Sequence, residues 1–294
     1  MLQTEGIIRI YDSGEISAEK DVNNLSSGLI YFGGESFKLS SSNTISKGKI
    51  YLKSRDTQIL SKDSASFADL FSSGKLAMSA TNNVKFEGKA ILADLVVIGN
   101  SNPRPHSIDV LGTVQSELFL NLLAIDQINI AEGAAVKSLD GFVNITSKNI
   151  TNYGTIFGKN LEITSEENDI IEIGKIGSSD LTKITTPGKI TIPRSSAITS
   201  NGKIYLQGRE LLLGGTIYGA REAEIVLGRE FKLSNSAPRS RFVDGSVSNS
   251  PTLYSNGAIR IKSSALSLES NAQIFSRDGI IIESPSITVT SGTQ

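Results

Sequence analysis

Short runs in which apolar and polar residues alternate recur along the chain, and most of them follow a glycine. Gly188-Lys189-Ile190-Thr191-Ile192, Gly202-Lys203-Ile204-Tyr205-Leu206, Gly257-Ala258-Ile259-Arg260-Ile261 and Gly279-Ile280-Ile281-Ile282 share this design. Gly48-Lys49-Ile50-Tyr51-Leu52, Gly74-Lys75-Leu76-Ala77-Met78 and Gly141-Phe142-Val143-Asn144-Ile145 are earlier copies. Alternation with a period of two places the apolar residues on one face of a strand, and the glycine permits a turn ahead of it. Spacing turns the fragments into an architecture. Ile204 and Leu206 recur at Ile225 and Leu227, Ile259 and Ile261 at Ile280 and Ile282, and Leu266 and Leu268 at Ile287 and Val289, each after 21 residues.

Three columns of apolar positions follow from that spacing. One runs through Ile163, Ile184, Ile204, Ile225, Ile259 and Ile280. A second takes the pairs Ile171/Ile173, Ile190/Ile192, Leu211/Leu213, Phe231/Leu233, Leu266/Leu268 and Ile287/Val289. The third has one position per repeat: Ile156, Ile176, Ile198, Ile217 and Ile274. Three short strands per repeat make a triangular coil, and the expected fold is all-β. It is a single-stranded right-handed parallel β-helix of about 21 residues and three strands per coil, with residues 1–294 as one domain. A sandwich does not hold such a register, and propeller blades repeat at roughly 40–50 residues. Each inward isoleucine contributes about 1.5–3 kcal/mol. Backbone ordering opposes this by about 1–2 kcal/mol per residue, so a lone coil cannot fold and stacking is obligatory.

Three segments break the repeat. Ser61 to Phe71 reads as a short amphipathic helix over a coil edge, and Asn100 to Ser107, with Pro103, Pro105 and His106, as a protruding turn. Ser234 to Asn256 is the longest departure and stands where a third strand is due. Long excursions from a rigid scaffold are where binding residues tend to sit, which singles out Arg239, Arg241 and Asp244 as candidate contact residues.

Composition narrows the chemistry. The 29 Lys+Arg balance 30 Asp+Glu, so the basic excess of a nucleic-acid binder is absent. With no cysteine and one histidine, neither a disulfide framework nor a thiolate metal site is available. His106 would have to serve any Ser–His–acid set, and it is placed in a Pro-flanked turn far from a strand. No catalytic residue, metal ligand or cofactor site is assigned. Arg260-Ile261-Lys262 matches one element of polygalacturonase-like glycosidases, but the paired aspartates and the Gly-His-Gly element of that family have no counterpart. Ile261 is expected in the core, with Arg260 and Lys262 facing out. Glu166, Glu167, Asp169 and Glu172 form the densest acidic patch, read as a solvated coil corner without the spacing of a calcium loop. Seven tyrosines and no tryptophan leave no broad platform for sugar stacking. No basic-then-apolar leader opens the sequence, and no apolar stretch reaches the roughly 18 residues of a membrane span.

Residues 150–164, Ile-Thr-Asn-Tyr-Gly-Thr-Ile-Phe-Gly-Lys-Asn-Leu-Glu-Ile-Thr, resemble the repeat of filamentous haemagglutinins, whose pattern is Asn-x-Gly-x-Ile-x-(Ala/Gly)-x-x-Leu-x-(Leu/Ile). A second copy begins at Gly215-Thr216-Ile217-Tyr218-Gly219 and ends at Ile225-Val226-Leu227. The resemblance implies export across a Gram-negative outer membrane by two-partner secretion or as an autotransporter passenger, with adhesion or stalk duty at the cell surface. The expected function is therefore a non-catalytic secreted or surface adhesin, a rigid segment displaying loops, with no enzyme activity. Its expected partner is a host-cell receptor or glycan, without nucleic acid and without stable membrane insertion. The chain is expected to be a monomer or part of a longer protein. The family's secretion domain, with its Asn-Pro-Asn motifs, and a membrane barrel are both missing, which fits a fragment. A polysaccharide-active tailspike- or lyase-like β-helix enzyme and a purely structural spacer are the alternatives.

Overall fold

The computed structural model describes residues 2–4, 7–10, 14–17, 22–24, 28–97, 104–235, 237 and 250–290. These are strands and corners, and no helix occurs among them. Every strand pairing among the described residues is parallel, and most join positions about one repeat apart, so the fold is a parallel β-solenoid with three strands per coil. The chain divides into two compact units, Met1–Ser147 and Lys148–Gln294.

In the second unit, sheet I stacks Ile150, Ile170, Ile190, Leu211, Phe231, Leu266 and Ile287 in register. Sheet II stacks Ile156, Ile176, Ile198, Ile217, Leu253 and Ile274. Sheet III carries two inward columns, Leu161, Thr182, Ile204, Ala223, Ile259, Ile280 and Ile163, Ile184, Leu206, Ile225, Ile261, Ile282. Alternation along each strand buries one face. Glu222–Leu227, for example, reads intermediate, buried, intermediate, buried, intermediate, buried. Ile190, Ile198, Leu206, Leu213, Ile217, Phe231 and Leu253 are wholly buried, which makes a continuous apolar filling.

Two of the expected columns need correction. Ile204 stands over Ala223, not Ile225; the partner of Ile225 is Leu206. The step is 19 here because the corner between sheets I and II shrinks from Pro193-Arg194-Ser195-Ser196 to Gly214-Gly215. Only glycine fits that shortcut, since a Cβ on Gly215 would lie 2.2 Å from the Ser196 carbonyl oxygen. A slip of two residues keeps every side chain on its own face, so the alternation alone does not reveal it. In sheet I, Ile190 pairs with Ile170 and not with Ile171. Thr151 faces Ile171 while Asn152 faces Ile173, which leaves Glu172 as an extra residue in a bulge. A run of isoleucines carries no phase by which to place it.

Register of this kind is open to direct test, because the chain has no cysteine. Tyr205 and Glu224 are register partners on the outer face. Tyr205→Cys/Glu224→Cys is expected to oxidise to an intramolecular disulfide, the two strands lying about 4.8 Å apart. Tyr205→Cys/Val226→Cys, which the 21-residue step would pair, spans more than ~7 Å and should stay reduced. Thiol titration after mild oxidation distinguishes the two.

The first unit repeats the plan. Val84, Ile108 and Ile128 stack in sheet I, Ile30, Ile50, Leu70, Ala90, Val114 and Val136 in sheet II, and Leu39, Ile59 and Met78 in sheet III. The helix expected over Ser61 to Phe71 is not formed. Ser64–Ser79 is a strand whose Ala65, Phe67 and Leu70 are buried core. Ala-Ser-Phe-Ala-Asp-Leu-Phe suits a helical stripe equally well, but in-register neighbours at Val84 and Phe86 decide for the strand. The first unit also holds a polar interior patch. Asn24 donates to the Ser46 hydroxyl at 3.0 Å, and Thr44 lies 2.8 and 2.9 Å from the Ser41 and Ser61 hydroxyls.

Four corners share the pattern Ser/Thr/Asn-x-Gly, with the polar side chain turned inward. Gly154, Gly188, Gly202 and Gly257 each donate their N–H to the side-chain oxygen two residues earlier, on Asn152, Thr186, Ser200 and Ser255, at 3.0–3.2 Å. This turn satisfies a buried donor that the sheets leave over.

Candidate functional surface

The interior is packed side chain, so any function lies on outward strand positions and corners. Several outward charges are tied to each other across neighbouring coils. Glu162 accepts from Lys183 at 2.6 Å, and Glu222 lies 2.8 Å from Lys203 and 3.4 Å from Arg260. Lys262 faces Glu283 at 4.0 Å. Arg260 and Lys262 point outward and Ile261 inward, as expected. In the first unit Asp109 is held between Asn83 at 2.8 Å and Asn129 at 2.9 Å. Such rungs follow from stacking: whatever stands at one outward position meets its counterpart one coil on.

Aromatic residues, too few in sequence to suggest a platform, gather on the outer face of sheet II. Tyr218, Tyr254 and Phe275 stack with ring centroids 5.2 Å apart and planes within 11°, and Tyr51 stacks on Phe71 at 4.8 Å in the first unit. Each ring is covered by its neighbour, so these columns offer edges and hydroxyls more than open faces to a ligand. The signal was present in sequence as the third residue of Thr-Ile-Tyr-Gly, Thr-Leu-Tyr-Ser and Gln-Ile-Phe-Ser, once the register is known.

The long excursion leaves and rejoins the coil at the corner between sheets I and II. Phe231 and Leu266 are register partners although 35 residues apart, where neighbouring steps take 20 or 21. Strand Thr252–Ser255 already belongs to sheet II, so the departure ends before Thr252 and not at Asn256. Arg239, Arg241 and Asp244 lie outside the described residues. Its base is held firmly. Ser234 donates to the Glu269 carboxylate at 2.6 Å, Asn235 donates to the Ser270 carbonyl at 2.6 Å, and Lys232 approaches Glu269 at 3.0 Å. Beside it, Arg194 Nε, Ser195 Oγ and Asn235 Oδ1 are shielded from solvent without a hydrogen-bond partner among the described residues.

The hydrogen bond from Ser234, reinforced by Lys232, holds the Glu269 carboxyl below its ordinary value of 4.5. A depressed carboxylate stabilises the fold in full above its unfolded value, and that contribution is lost as pH falls through the folded value. Glu269→Gln is therefore expected to flatten the loss of stability between neutral pH and the region below 4.5, measured as the urea midpoint against pH. Glu87 is lowered in the same way, chiefly by its hydrogen bond to Lys85 at 2.8 Å.

The sequence suggests a turn far from any strand for His106; in the structure it immediately precedes strand Ser107–Val110, whose pairing with the neighbouring coils carries the chain straight from the turn into the sheet. Its Nδ1 lies 2.6 Å from Asp126 on the next coil, both about half-exposed. Of the acidic patch, Glu166 and Glu167 are exposed at a corner, while Asp169 accepts the Lys189 N–H at 2.7 Å. Asp69 accepts the Lys89 N–H in the same way at 3.1 Å. These aspartates are corner braces. No group of three or more potential metal-ligating side chains occurs among the described residues. No family model, curated protein or solved structure matches the chain.

Proposed function

We propose that the protein is a non-catalytic secreted or cell-surface segment, a β-solenoid scaffold that presents corner excursions for contact with a host-cell receptor or glycan. The haemagglutinin-like stretch at residues 150–164 carries this reading. Its Asn152-Tyr153-Gly154 forms the hydrogen-bonded corner, with Ile156, Leu161 and Ile163 in the core. Support also comes from the outward charges paired between coils, which leave much of the sheet faces as a solvated wall. The clamped base at Ser234 and Asn235 suits an element whose position matters to what it meets.

Binding of the purified chain to cultured epithelial cells and to a glycan array is the test, beside a variant in which residues 238–249 are replaced by a short Gly-Ser linker. Binding by the parent that is lost in the variant supports display by the excursion. Equal binding by both moves contact to another surface. No binding at all, together with depolymerisation of a polysaccharide panel, overturns the proposal in favour of an enzyme.

A further inference from the structure

Two corners of the second unit carry the same tripeptide, Ser200-Asn201-Gly202 and Ser255-Asn256-Gly257. In each, the glycine N–H donates to the serine hydroxyl, at 3.1 and 3.2 Å, and both corners join sheets II and III. They differ in what surrounds the asparagine. Asn256 sits against the aromatic column: its Nδ2 donates to the Tyr218 hydroxyl at 3.1 Å, and its Oδ1 accepts from the Tyr254 hydroxyl at 2.7 Å. Asn201 is exposed, and its side chain makes no hydrogen bond among the described residues.

An Asn-Gly step is the most reactive toward intramolecular deamidation, because glycine places no side chain in the way of attack by its own backbone nitrogen. The Gly N attacks the Asn Cγ and the side-chain nitrogen leaves as ammonia, giving a succinimide. Water then opens either carbonyl, yielding aspartate or isoaspartate. No oxidant, cofactor or second protein is needed. Attack requires the carboxamide to swing over the following nitrogen, and a carboxamide held at both ends cannot do so without first breaking two bonds.

We propose that Asn201 is a site of spontaneous covalent modification in the folded protein, and that Asn256, in an otherwise equivalent corner, is protected by Tyr218 and Tyr254. The consequence at Asn201 is local. Gly202 packs on Asp180, whose carbonyl oxygen would lie 1.8 Å from any Cβ placed there. Deamidation adds a negative charge at the corner next to Asp180, whose carboxylate is 3.9 Å from Lys159. Isoaspartate also lengthens the main chain by one methylene in a corner without room for it. The modified chain is expected to lose the Gly202 N–H bond to Ser200 and to loosen sheet III beside it. This inference is independent of the proposed adhesive role.

The test is peptide mapping by mass spectrometry after prolonged incubation of the intact protein at mildly alkaline pH in 18O-labelled water. The label separates deamidation during incubation from that during digestion. Labelled aspartate and isoaspartate are expected at position 201, with Asn256 slower by about ten-fold or more, the effect of two hydrogen bonds. Tyr218→Phe/Tyr254→Phe keeps the ring stack and removes both hydroxyls, and should bring the rate at Asn256 up toward that at Asn201. Equal rates at the two sites in the parent protein would overturn the proposal. So would an unreactive Asn201 in the folded chain that reacts only after denaturation, or an unchanged Asn256 rate in the double variant.

Discussion

Gly257→Ala is expected to destabilise the second unit by about 3 kcal/mol or more, although it adds a single methyl group. The backbone at Gly257 has no left-handed conformation to explain this. The cause is stacking: a Cβ would lie 1.4 Å from the Arg221 carbonyl oxygen and 2.5 Å from its carbon. That oxygen belongs to the backbone of the coil below, so no rotamer change can clear it, and the coils must separate. Separation costs the in-register contacts of Ile259 on Ala223 and Ile261 on Ile225. Gly228→Ala provides the contrast, since nothing lies within 4 Å of a Cβ there, and it should be neutral within about 0.5 kcal/mol. Hydrogen exchange is the sharper readout, because repeat arrays need not unfold in one step. Protection should fall at 222–227 and 259–262 in the first variant and hold in the second. Equal behaviour would mean that the corner glycine serves turn flexibility and not close approach.

That distinction marks where the sequence was legible. Alternation, glycine spacing and a repeat near 21 residues are local signals, and they led to strands, coils and faces. Ile198, Ile217 and Ile274 fall into one column because each is the lone inward-facing apolar residue of its strand. Register is harder to read, because corners vary in length and a shift of two leaves the face unchanged; hence the 21-residue spacing sets Ile204 over Ile225 in place of Ala223. Leu253 is absent from the expected column because the sequence pattern extends the excursion across it, to Asn256. The helix expected at 61–71 failed for a different reason. Short Ala-, Ser- and Phe-containing segments fit either period, and neighbouring coils choose between them. Outward features were the least readable. The Tyr218–Tyr254–Phe275 column and the Glu222 rung between Lys203 and Arg260 join residues up to 57 positions apart, and only the correct register brings them together.

Phe231→Ala is expected to cost about 3–5 kcal/mol, the usual penalty for removing a fully buried aromatic ring. Phe231 has no solvent exposure and stands in sheet I with Leu211 on one side and Leu266 on the other. In a solenoid each coil meets only its neighbours, so the cavity weakens two interfaces at once. It also falls where the chain has just to leave the coil and return, with no adjacent sheet II strand in sequence to compensate. Phe231→Leu keeps most of the volume and should cost less than about 1.5 kcal/mol. Ile287→Ala tests the same column where the side chain is 54% exposed, and should cost no more than about 1 kcal/mol. Urea unfolding of the three variants, with exchange protection followed at 210–213, 230–233 and 265–268, measures the gradient. A loss at Ile287 as large as that at Phe231 would mean that stability does not reside in the stacked column. The ordering Phe231→Ala, then Phe231→Leu and Ile287→Ala, is what a dry axial filling requires.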